Sequence, residues 1–303
     1  MRVARVALVL VLAWNTIAFA APHAKRFASL DDAVNALIDA VRSFDRKALA
    51  DILGPQGRTL VSSGDDVADR NAGQRFVAEY EKAHRLEGGG GKVVLYVGTD
   101  DFPFPIPLVP DGPNWRWDVD AGREEILKRR IGRNELSAIQ VCLAYVDAQR
   151  EYYSQSHKRD GVLEYAQRIA SSPGQRDGLY WPTRTDEPPS PLGPLVTRAQ
   201  AEGYTRRSGS ASGRVPFHGY LYRILLRQGS SAPDGAYDYV VGGHMIGGFG
   251  LLAYPAVYGN SGVMTFIVNH DGFVYQKDLG PTTEHVATKI DAFDPDATWK
   301  RVD

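Results

Sequence analysis

One cysteine in 303 residues is the first constraint this chain sets. A single thiol, Cys142, excludes an intramolecular disulfide, so packed cores must supply the stability. Cys142 falls within a helical stripe of Leu136, Ile139, Leu143 and Val146, which predicts a small buried apolar residue rather than a reactive thiol. An excess of one charge is missing too: 35 Lys and Arg stand against 36 Asp and Glu, a net charge of −1. That balance offers no bulk field for nucleic acid or an anionic lipid surface. Beyond the N-terminus no apolar run approaches the roughly 20 residues of a membrane span. Internal repeats are absent.

The apolar run at the N-terminus is short and reads as a leader. Arg2 and Arg5 precede Val6–Leu12, and Ala18-Phe19-Ala20 forms a small-residue cleavage site. Residues 1–20 are therefore expected to be a signal peptide, with the mature chain starting at Ala21. No cysteine follows the site, so a lipid anchor is not indicated. The expectation is an exported, soluble protein, periplasmic or extracellular.

The mature chain is long enough for two domains, 21–122 and 123–303. In the first, Phe27–Leu53 has helical periodicity with Ser29 as cap, and Asp69–Leu86 predicts a further helix. Gly88–Gly91 is a turn. Strands follow at Val93–Val97, Ile106–Val109 and Trp115–Val119. Pro103, Pro105, Pro107 and Pro110 suit an edge strand or a crossing loop, since proline cannot pair in a central strand. Helices followed by a curved antiparallel sheet suggest a nuclear-transport-factor-like cone. Gly122–Gln155 connects the halves, with Glu124–Lys128 and Glu125–Arg129 as helical pairs and Asn134 as the cap of a new helix. Its basic run (Lys128, Arg129, Arg130, Arg133) reads as a solvated or salt-bridged helix face rather than an anion site. From Gly219 to Gly280 the chain alternates strands and turns and predicts an antiparallel sheet. The fold class is α+β throughout.

Four blocks, SSGDDVADR (62–70), FPFPIPLVP (102–110), EEILKRRIGRNEL (124–136) and the stretch 247–280, resemble the bacterial family called domain of unknown function 2950. The resemblance spans nearly the whole mature chain. It implies an exported envelope protein of unassigned activity and brings no catalytic residues with it. A looser resemblance concerns shape. A helix ending in aromatics, then YLYRIL, then GLLAYPAVYGNSGVMTFIVNHDGFVY is similar to the globular half of a type IV pilin or pseudopilin, which implies a helix packed on an antiparallel sheet. The charged start of this helix (KRRIGRNEL) departs from the apolar segment by which pilins polymerise.

No complete catalytic constellation is visible. Gly242–Gly250 is glycine-rich but precedes a strand, whereas a phosphate cradle needs a helix N-terminus. Gly259-Asn260-Ser261-Gly262 has the look of a nucleophile loop, yet nothing in the sequence pairs His218, His244, His270 or His285 with Ser261. Asn269–Gly272 reads as a hairpin turn. Asp65, Asp66 and Asp69 form the densest acidic group and are the weak catalytic candidates; as residues preceding a helix they also suit capping. The ligand-binding candidates are the aromatics Tyr180, Trp181, Tyr254 and Tyr258 beside the Pro-rich stretch 182–194. No metal or cofactor is expected. The leading expectation is a non-catalytic protein that binds an envelope protein or cell-wall component. The alternative is an envelope hydrolase with its site at the domain junction.

Overall fold

A computed structural model describes residues 24–155, 161–204 and 215–302. The leader of residues 1–20 and the Ser/Gly-rich stretch 206–214 lie outside them. The fold is α+β.

The N-terminal half begins with α1 (Leu30–Arg42), capped by Ser29, whose hydroxyl accepts from the Asp32 amide at 3.0 Å. Phe44 takes φ 54° and breaks the helical stretch. Asp45 then caps α2 (Arg46–Leu53) by accepting from the Ala48 amide. After α3 (Arg58–Val61) and α4 (Asp66–Lys82) come β1 (His84–Gly89), β2 (Lys92–Val97), β3 (Phe102–Pro103), β4 (Leu108–Asp111) and β5 (Asn114–Trp117). Their order is β1-β2-β4-β5, with β3 also on β2. The helix expected to reach Leu86 stops at Lys82, and His84–Gly89 pairs with β2 instead. Only Gly90 and Gly91, both at positive φ, make the hairpin turn. Pro103 sits on the short strand β3 and Pro110 on β4, with Pro105 and Pro107 between strands. Pro103, Pro105 and Pro107 thus occupy edge and loop positions, whereas Pro110 lies on β4, an inner strand, opposite Trp115 and beyond the single β2 pairing at Leu108. Trp117, Leu95, Ile106 and Leu108 pack under Val34, Leu37 and Ile38 of α1.

The connection is one helix, α5 (Val119–Tyr153). At 35 residues it is about 50 Å long. Asn134 does not cap a new helix. It lies inside α5, and its amide donates to the Ser261 carbonyl at 2.8 Å. A mid-helix asparagine is acceptable when its polar end finds a partner elsewhere. Val119 of α5 belongs to the N-terminal core, while Ala138, Cys142, Tyr145 and Val146 belong to the C-terminal core.

In the C-terminal half come α6 (Gly193–Ala201), β6 (Tyr220–Leu225), β7 (Arg227–Gln228), β8 (Tyr237–Asp238), β9 (Val240–Val241), β10 (His244–Met245), β11 (Gly250–Pro255), β12 (Met264–Asn269), β13 (Val274–Asp278), α7 (Thr283–Ala287) and β14 (Lys300–Arg301). The main sheet is antiparallel in the order β14-β13-β12-β11-β6. Side chains alternate across it, as the two-residue period requires. Leu251, Ala253, Phe266 and Val268 face α5, whereas Leu252, Tyr254 and Ile267 join Leu225, Ala287 and Phe293 on the opposite face. Cys142 is fully buried, and burial pushes its thiol up to about 12. It stays protonated and inert at neutral pH.

Candidate functional site

The three acidic candidates begin one helix and have three different jobs. Asp65 is buried at the N-cap of α4, where its Oδ1 accepts from the Ala68 amide at 3.0 Å. Its Oδ2 accepts from the Tyr204 hydroxyl at 2.8 Å and from the Gly219 amide at 2.9 Å. Asp66 is exposed and paired with Arg46. Asp69 accepts from the Ser63 amide at 2.8 Å. Burial holds its carboxyl above the ordinary carboxylate range, against the opposing Ser63 bonds and Arg130 charge.

Asp65 therefore ties the start of α4 to the C-terminal half. Its partners come from the end of α6 and from a two-residue hairpin loop, His218-Gly219. Both loop residues have positive φ, 50° and 77°. Glycine is required at 219 on a second count: a Cβ there would meet Asn134 Nδ2 at 2.4 Å. The His218 ring turns to Glu202, 3.2 Å away, and only its backbone amide reaches the Tyr204 hydroxyl.

A second clamp lies alongside. Arg130 of α5 donates to the carbonyls of Leu60 at 2.6 Å and Thr59 at 3.1 Å, and to Asn260 Oδ1. Burial lowers its pKa, although Asp69 opposes this. Asn260 in turn donates to the Ser62 carbonyl at 2.7 Å, and Glu135 accepts from the amides of Val263 and Met264. The turn 259–262 is thus a docking element. Ser261 spends its hydroxyl within that turn, accepting from the Val257 amide and donating to the Val257 carbonyl.

The ligand-binding candidates separate. Tyr180 and Trp181 line an open cavity of about 990 Å³ on the α5 side of the sheet. Tyr254 points through the opposite face into the core with Leu252 and Ile267. Tyr258 is on the 256–262 loop, its hydroxyl 3.2 Å from Asp278. Strand parity explains the split, because Tyr254 is one residue out of step with Ala253, which faces α5.

The cavity floor is Val141 and Tyr145 of α5 with Leu251 of β11. Its walls are Leu195, Val196 and Ala199 of α6, the loop 169–182, and Tyr204, Phe217 and Tyr222. Two of the lining tyrosines turn their hydroxyls to protein partners: Tyr145 to the Gly250 carbonyl at 3.1 Å, Tyr204 to Asp65. Burial raises the pKa of both far above the ordinary tyrosine range. For these two, ring surface rather than hydroxyl is left toward the space. Among the described lining residues one is charged, Arg176, whose guanidinium lies over the Trp181 ring at 5.4 Å. Sequence reasoning missed α6, Phe217 and Tyr222 as parts of one site. The contribution of each is local, and only the packing of α6 across the sheet assembles them.

A family model described as protein of unknown function (DUF2950) matches residues 24–302. The chain belongs to that family. The match takes in both halves of this DUF2950 protein, from the first described residue to the last. No curated protein matches it. No solved structure matches it either, so the helix-on-sheet packing of its C-terminal half has no pilin structure beside it. Among the described residues no helix is long and apolar enough to cross a membrane.

Proposed function

We propose that this DUF2950 protein is an exported, non-catalytic binding protein of the cell envelope, taking an envelope protein or cell-wall component at the C-terminal cavity. The cavity wall carries the proposal: Tyr180, Trp181, Leu195 and Val196 leave apolar surface partly open to solvent, beside buried Tyr145 and Tyr204, whose hydroxyls are already bonded to protein. Such a site favours apolar matter without activating a bond. The Asp65 carboxylate, by contrast, is buried and accepts from three donors at the junction, which commits both of its oxygens to structural bonds and weakens a hydrolytic role there. Export is supported by the leader pattern of residues 1–20. The division into domains 21–122 and 123–303 is supported by the two cores that meet along α5.

Titration with 1-anilinonaphthalene-8-sulfonate tests the cavity. Native protein is expected to give one saturable site with enhanced emission. Ala199→Trp, which places an indole in the cavity, is expected to abolish that site without lowering the unfolding midpoint. Undiminished dye binding by a folded Ala199→Trp protein would overturn the assignment.

A further inference from the structure

We infer that the occupant of the cavity is an extended polypeptide segment, which adds as a strand to the outer edge of β6 and places one large apolar side chain in the cavity. This rests on the cavity being a binding site, as proposed above, and names its partner class.

The argument starts from backbone parity. β6 is the last strand of the main sheet, with β11 on its inner side. In an antiparallel ladder, residues point their N–H and C=O groups alternately toward and away from the neighbour. Tyr220 exchanges both bonds with Phe217, and Leu226 accepts from the Tyr239 amide, so both face outwards. By the same alternation Tyr222 and Ile224 also face outwards. Among the described residues, no backbone bond is made from the N–H or C=O of either. The edge is therefore closed at its two ends by the protein's own chain and open between them.

Open strand edges are normally shielded, because they template pairing with another chain. The row of alternating donors and acceptors specifies the chemistry of what fits: another polypeptide backbone in extended form, the mode of strand addition. The cavity adjoins this window, since Tyr222 is one of its walls. Tyr222 and Ile224 both lie on the α5 face of the sheet. Directly opposed residues on paired strands project to the same face. A residue paired with Tyr222 would thus send its side chain to the cavity side. An acyl chain would use the apolar wall but leave the outward amides and carbonyls unmatched.

The test uses the full mature chain and a capped pentapeptide with a central phenylalanine flanked by valines and threonines, read by displacement of the dye and by Trp181 fluorescence. The peptide is expected to displace the dye at one site. N-methylation of its central amides, which removes the donors but keeps every side chain, is expected to weaken binding at least ten-fold. Ile224→Pro is expected to do the same while retaining dye binding, because a proline is tolerated where the edge N–H is unpaired. Equal binding of the methylated and unmethylated peptides would overturn strand addition. Displacement by hexadecanoate but not by peptide would replace the polypeptide with an acyl chain and leave the cavity assignment intact. Failure of dye, peptide and hexadecanoate alike would overturn both.

Discussion

Asp65→Ala is expected to lower the thermal unfolding midpoint by about 10 °C, although the residue touches no candidate ligand. The substitution removes the acceptor for three donors at once: the Ala68 amide, the Tyr204 hydroxyl and the Gly219 amide. Loss of a helix cap costs about 1 kcal/mol. Buried donors left without an acceptor cost about 1–3 kcal/mol each when water cannot reach them. A total near 4 kcal/mol is reasonable, and about 2–4 °C per kcal/mol for a chain of this size gives the stated shift. Tyr204→Phe removes one of the three donors together with the acceptor for the His218 amide, and is expected to lose about half as much. Differential scanning calorimetry of the three proteins checks both. If Asp65→Ala leaves the midpoint unchanged, Asp65 is not a junction pin, and a catalytic role for this carboxylate becomes the better explanation of its burial.

Arg130→Met is expected to be comparably costly, by about 3 kcal/mol. Its guanidinium satisfies the carbonyls of Thr59 and Leu60 and the side chain of Asn260 together. Methionine preserves the helix and much of the stem packing but leaves those acceptors unpaired. Arg130→Lys is expected to recover only part of the loss, because one ammonium cannot reproduce a planar fork directed at three acceptors. A double-mutant cycle with Asn260→Ala isolates the side-chain pair, for which a coupling of about 1 kcal/mol is expected. Urea unfolding curves with a shared slope provide the measurement. Strict additivity would show that the short contact between Arg130 and Asn260 contributes nothing to joining the halves.

These two residues show what local pattern can and cannot reveal. Asp65 reads as a helix cap from its place before a helical stretch, and it is one. The partners that make it a junction residue are 139 and 154 positions away. Nothing in SSGDDVADR announces them. The strands of the main sheet follow from alternation and turn residues. The continuity of α5 through Asn134 does not, because asparagine at a cap and asparagine inside a helix look alike until Ser261 is placed beside it. Tyr180 and Trp181 were legible as candidate aromatics. Their grouping with Tyr254 was a grouping by residue type, and strand parity separates them.

Site-specific photo-cross-linking in cells, at native expression, tests most directly that the cavity and not the junction is the working site. A benzophenone side chain at Gln200, on the cavity rim, is compared with one at Asp66, on the exposed start of α4. The expected result is one reproducible adduct from position 200, lost when Ala199→Trp is added to the same chain, and none from position 66. An adduct from position 66 that survives Ala199→Trp, or capture from neither position, would contradict a binding protein that works through its C-terminal cavity.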